Sequence, residues 1–195
     1  MKRLVLIVVL MSSSCFAQTR MFPAGALDTR NDLDVFRNQW YSRALQALHE
    51  PSLSSEAKDQ RVESYRFLWL RSFNHPVSVR IYRNDKKQWM LTLKIASGAG
   101  GYPPGVLIDE ETCGVKDVDM QAFLTRVNKT GFWTAPNPVN DQKGTDGSQW
   151  IIEGVKDGKY HVVDRWYPKD GVARELGWEM VFNLAGLEVP KQSIY

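Results

Sequence analysis

Three successive segments alternate apolar and polar side chains with a period of two, and this pattern constrains the fold more than any other feature. Over 64–73 the odd positions hold Tyr65, Phe67, Trp69, Arg71 and Phe73. Over 77–83 they hold Val77, Val79, Ile81 and Arg83, and over 88–96 Trp89, Leu91, Leu93 and Ile95. Even positions include Arg66, Ser78, Arg80, Gln88, Thr92 and Lys94. Successive side chains on a strand point to opposite faces, so the pattern predicts an antiparallel sheet with one packed and one wet face. Asn74-His75-Pro76 and Asn84-Asp85 supply the turns. Trp69, Val79 and Leu91 share one phase and are expected in one core, under a helix.

Helical spacing takes over elsewhere. Leu33, Phe36, Trp40, Ala44 and Leu48 mark a helix over 32–49, closed by Pro51. A short second helix is expected over 54–62, with Ser54 as its cap. Met120, Phe123, Leu124 and Val127 mark another over 117–130, and Val172, Leu176, Met180, Val181 and Phe182 a last one over 172–185. A hairpin is expected at 148–155 and 159–167. The fold class is therefore α+β: an antiparallel sheet of about five or more strands with helices packed on one face, in the order α-(α)-βββ-α-ββ-α. Residues 97–105, Ser-Gly-Ala-Gly-Gly-Tyr-Pro-Pro-Gly, read as a mobile loop, because Pro103 and Pro104 deny a phosphate-cradling loop its helix. Thr134 to Gly147 is a long irregular stretch, of the kind that carries function or stays disordered.

The first residues speak to compartment. Lys2 and Arg3 precede an apolar run from Leu4 to Met11, and Cys15-Phe16-Ala17 gives a small-residue exit. This is the layout of a secretory signal cut after Ala17. Lipidation of Cys15 is disfavoured because Ser12 stands where a lipoprotein signal carries a large aliphatic residue. The expected division is a signal peptide at 1–17, a linker at 18–30, one domain at 31–188 and a tail at 189–195. Removing Lys2 and Arg3 leaves 23 Lys and Arg against 22 Asp and Glu. So small an excess argues against a nucleic-acid partner. Cys113 then stands alone, so the mature domain depends on its core rather than on a disulfide. No apolar run reaches the ~18 residues of a membrane span.

No catalytic or cofactor signature is present. The three histidines, His49, His75 and His161, have no local metal-ligand spacing, so neither a metal nor a cofactor is expected. There is no Gly-x-Ser-x-Gly elbow, Walker loop or dinucleotide fingerprint. The best polar cluster lies on the 148–167 hairpin. A two-residue turn at Asp157-Gly158 would pair Glu153 with Val162. A three-residue turn through Lys156-Asp157-Gly158 would set Glu153 opposite His161 and Gln149 opposite Arg165. The second register gathers Trp150, Ile152, Tyr160, Val162 and Trp166 on one face and is preferred on that ground. It makes Glu153, His161 and Arg165 the candidate acid–base group. Asp164 falls on the apolar face and is expected to accept hydrogen bonds from a loop backbone or an Arg. Most tryptophans sit in core phase. Trp133, beside the long loop, and Tyr102, in the Gly-rich one, are the candidate binding residues.

Asp146 to Gly154, with Tyr160 to Trp166 and Tyr65 to Arg71, resembles a set of uncharacterised exported bacterial proteins. The resemblance implies export and a single domain, and no activity or site. The reading favoured by the residues is an exported envelope protein, a non-enzymatic binding or interaction module with a protein or small-molecule partner. The alternatives are a periplasmic hydrolase using His161 with Glu153, and an inhibitor or immunity-type protein acting on a partner.

Overall fold

The computed structural model describes residues 20–137, 144 and 146–195. The expected signal peptide and Cys15 lie outside the described residues. In chain order come α1 (Asn31–Ala47), α2 (Leu53–Glu56), β1 (Ser64–Arg71), β2 (Val77–Arg83), β3 (Trp89–Ala96), β4 (Leu107–Gly114), α3 (Asp117–Lys129), β5 (Ser148–Lys156), β6 (Lys159–Trp166) and α4 (Gly171–Trp178). The fold is α+β, with six antiparallel strands in the order β4-β3-β2-β1-β5-β6. Among the described residues no helix is long and apolar enough to cross a membrane.

β4 was not foreseen. Its residues, Leu-Ile-Asp-Glu-Glu-Thr-Cys-Gly, do not alternate, because it is an edge strand wet almost throughout. Charges on such an edge discourage pairing with another chain.

Trp69, Val79 and Leu91 do share one core. With Phe67, Trp150 and Ile152 they pack against Met120, Phe123 and Val127 of α3 and Leu176 of α4. The opposite face is not wet, and helices cover both faces rather than one. Leu68, Leu70, Ile151 and Val162 pack under Tyr41, Ala44, Leu45 and Leu48 of α1. Arg66, Ser78, Thr92 and Lys94, expected in water, are all buried. The expected linker and tail also belong to the body. Met21, Phe22 and Leu27 are buried in the α1 core, and Val189 and Ile194 pack on the other.

α1 is turned relative to its expected stripe. Its buried positions include Asp34, Arg37, Asn38 and Ser42 as well as Tyr41, Ala44 and Leu45. The Asp34 carboxylate accepts the N–H groups of Gly25, Leu27 and Asp28 at 2.9–3.3 Å. Polar residues thus fasten the entry segment to the helix, while Phe36 is left 57% exposed. The helix ends in a Schellman motif: the Glu50 N–H reaches Leu45 O, the His49 N–H reaches Gln46 O, and His49 takes the left-handed position.

The β5–β6 hairpin corrects the preferred register. Glu153 pairs with Val162, Gly154 with His161 and Lys156 with Lys159. The turn has two residues, Asp157 and Gly158, at φ 51° and 72°, the type I′ geometry that matches strand twist. The three-residue turn would collect the apolar residues on one face, an advantage only if the other face is wet. With both faces buried, dividing them carries no penalty. Gly158→Val places a β-branched residue at left-handed φ and is expected to cost about 2 kcal/mol. Lys156→Ala, losing a half-exposed ion pair to Glu63, is expected to cost under about 1 kcal/mol. Equal denaturation midpoints for the two variants would refute this account of the turn.

Candidate functional site

The observed register separates the expected acid–base group. Glu153 faces α1, whereas His161 and Arg165 face the other side. Glu153 is fully buried in an ionic cluster. Its carboxylate accepts from Arg66 Nε at 2.8 Å and from the Tyr160 hydroxyl at 2.9 Å. Arg66 continues to Glu50 at 3.4 Å and to the Pro51 carbonyl at 2.6 Å. Arg80 and Lys94 complete the cluster around Glu50 at 2.9 and 3.3 Å. Burial pushes the Glu153 carboxyl above its usual range, against the pull of Arg66 and Tyr160. With Arg66, Glu50 and Glu153 fully enclosed, the cluster holds the α1–α2 connection to the sheet and offers no access to a substrate.

His161 donates its Nε2–H to the Ala135 carbonyl at 3.1 Å and packs edge-on to Phe132. Burial holds its pKa below the ordinary 6.5, and Arg165 lowers it further. Arg165 is committed to the Pro136 carbonyl at 2.6 Å and to Asn137 Oδ1 at 3.2 Å. Trp133 does meet His161, and the two line a hollow of about 520 Å³ with Tyr160, Lys156 and Lys159. Asp157 also lines the hollow, but among the described residues no hydrogen bond or ion pair joins its carboxylate to His161, and burial makes the imidazole a weaker base than usual. Asp164 accepts from the Tyr41 hydroxyl at 2.9 Å and from Arg37 at 3.3 Å, the Arg partner expected of it. Asp28 also lies near Arg37, and hydrogen bonds from Arg30 hold its carboxyl down at about 2. Among the described residues no group of three or more His, Cys, Asp or Glu is placed to hold a metal ion.

Tyr102 marks a different place. A groove of about 550 Å³ runs between α1 and the Gly-rich segment. α1 supplies Phe36, Arg37, Trp40 and Arg43, the segment supplies Tyr102 and Pro103, and β6 supplies Trp166. Far from being a mobile loop, 97–105 is a pinned arm. The Gly98 N–H bonds Pro104 O, Gly100 N–H bonds Arg71 O, and Gly101 N–H bonds Ser72 O. The Trp40 indole N–H donates to Gly100 O at 2.7 Å, tying the arm to α1. A Cβ on Gly98 would stand 2.0 Å from Pro103 O, and one on Gly100 2.6 Å from the Arg71 backbone. Only glycine permits these approaches, so they fix where Tyr102 stands.

The other end of the groove is equally built. A Cβ on Gly147 would lie 2.5 Å from the Trp166 ring. Tyr167 follows at φ 44°, a conformation that costs a bulky residue about 1–3 kcal/mol. Its N–H is held by Ser148 O, and Lys169 Nζ sits 3.2 Å above its ring. Strain of this kind clusters at ligand sites, and this instance adjoins a groove-lining tryptophan.

Phe36, Trp40, Arg43 and Trp166 were missed as site residues. The signal was available in α1: Asp34, Arg37, Asn38 and Ser42 form a second stripe at helical spacing. Burying that stripe turns Phe36 outward. No model of a known protein family and no curated protein matches this sequence, so the site rests on its own geometry.

Proposed function

We propose that the protein is an exported, non-enzymatic binding module whose ligand lies in the groove between α1 and the Gly-rich arm. The observation that carries this reading is the exposure of Phe36 and Tyr102, 57% and 60%, on elements held rigidly beneath them. Phe73, 60% exposed, extends the patch from beside Tyr102. Rings kept in water at such cost to burial, at the mouth of a formed groove, mark a contact surface. Export is supported by Lys2, Arg3, the apolar run behind them and the exit at Ala17. A hydrolase using His161 with Glu153 has no assembled acid–base pair, because the two residues stand on opposite faces of the sheet.

The test immobilises the mature chain, beginning at Gln18, and passes envelope extract over it. Phe36→Ala and Tyr102→Ala are expected to change stability by less than about 0.5 kcal/mol, since both rings are exposed. The same variants are expected to lose most of the retained material. Unchanged retention would remove the groove from consideration.

A further inference from the structure

We infer that the groove takes an anionic saccharide chain, with sugar rings stacked on the aromatic side chains and an anionic substituent on Arg43. This rests on the groove being the binding site. Among the described residues the lining contains two arginines and no carboxylate. Arg37 is neutralised from behind by Asp28 and Asp164. Arg43 is exposed and makes no ion pair or hydrogen bond among the described residues. Among the described residues the site therefore presents one uncompensated guanidinium, a planar fork suited to a carboxylate or sulfate, and nothing that repels an anion.

The rest of the lining selects among anions. Phe36, Trp40, Tyr102 and Trp166 give broad apolar surface at an open groove. A pyranose lays its carbon-bound hydrogens on such a ring and keeps its hydroxyls in water, so it needs few fixed polar partners. An extended peptide needs partners for its own backbone groups. Here the wall's N–H groups at Ser72, Gly100, Gly101, Tyr102 and Gly147 are all spent inside the protein. A single-stranded nucleic acid carries one charge per nucleotide and calls for a track of cations, whereas among the described residues Arg43 is a single one.

The experiment titrates the mature protein with uronic-acid oligosaccharides, sulfated oligosaccharides and neutral oligosaccharides of equal length, and with an acidic peptide. Binding is followed by calorimetry. At least one anionic sugar is expected to bind roughly tenfold more tightly than the neutral one. The uronate and sulfate arms identify the anion. Arg43→Met is expected to erase that preference, Arg43→Lys to keep part of it, and Tyr102→Ala to weaken anionic and neutral sugars alike. Equal affinity for neutral and anionic sugars, or preference for the peptide, would overturn the assignment. If no sugar binds while Tyr102→Ala still abolishes retention from envelope extract, the groove stands and the saccharide falls. If retention also survives Tyr102→Ala, the groove itself falls.

Discussion

Arg66→Met destabilises the fold by about 3–5 kcal/mol, and adding Glu153→Leu returns a substantial part of that loss. Arg66 and Glu153 have no exposed surface, so neither can turn to water when its partner is removed. Without the guanidinium, Glu50 keeps Arg80 and Lys94. Among the described residues Glu153 keeps only the Tyr160 hydroxyl. The cost therefore falls on one buried carboxylate, and removing that carboxylate as well relieves it. A single variant within about 1 kcal/mol of wild type, or a double variant worse than the single, would refute the account.

The sign of the pH dependence gives a second check. Burial already raises the Glu153 carboxyl above its value in the unfolded chain, so the native state binds its proton more readily. A contribution of that kind is present below the unfolded value and is lost as pH rises through the folded one. Arg66→Met removes a cation that opposes this shift. The variant's deficit is therefore expected to be larger at about pH 8 than at about pH 5, measured by denaturant unfolding at both.

The same residues show what the sequence could and could not convey. Strands β1 to β3, α3 and the hairpin were legible because local alternation and helical spacing are properties of a short window. Whether the second face of a sheet is wet depends on what packs there, and Arg66, Ser78 and Lys94 look like surface residues until α1 is placed over them. From that one assumption the preferred hairpin register followed, and with it a Glu153–His161 pair that the fold places on opposite faces. The Gly-rich segment failed in the other direction. Its glycines suggested freedom, yet Gly98 and Gly100 are there because Pro103 O and the Arg71 backbone leave no room for a Cβ. Tyr102 was identified without its surroundings, since the groove exists only once α1 and the arm are brought together.

Trp69→Ala is expected to destabilise by about 3–5 kcal/mol, whereas Trp69→Phe costs about 1–2 kcal/mol. Trp69 is fully buried at the centre of the sheet, with Trp150 at 5.3 Å, Phe67 at 6.3 Å and Phe182 at 5.9 Å between ring centroids. Arg71 covers it at 4.0 Å. Alanine leaves a cavity walled by rings that are themselves fixed: Gly177 lies against Trp150 and Phe67 so closely that a Cβ there would meet them at 2.7–3.0 Å. The helix therefore cannot settle further onto the sheet, and the surroundings do not collapse to fill the gap. Phenylalanine keeps most of the ring contacts and removes an indole N–H that finds no hydrogen-bond partner among the described residues, so part of its lost packing is offset by relief of that burial. The midpoints of denaturant unfolding decide it. A phenylalanine variant as unstable as the alanine one would show that the indole's full outline, rather than an aromatic filling, is what this core requires.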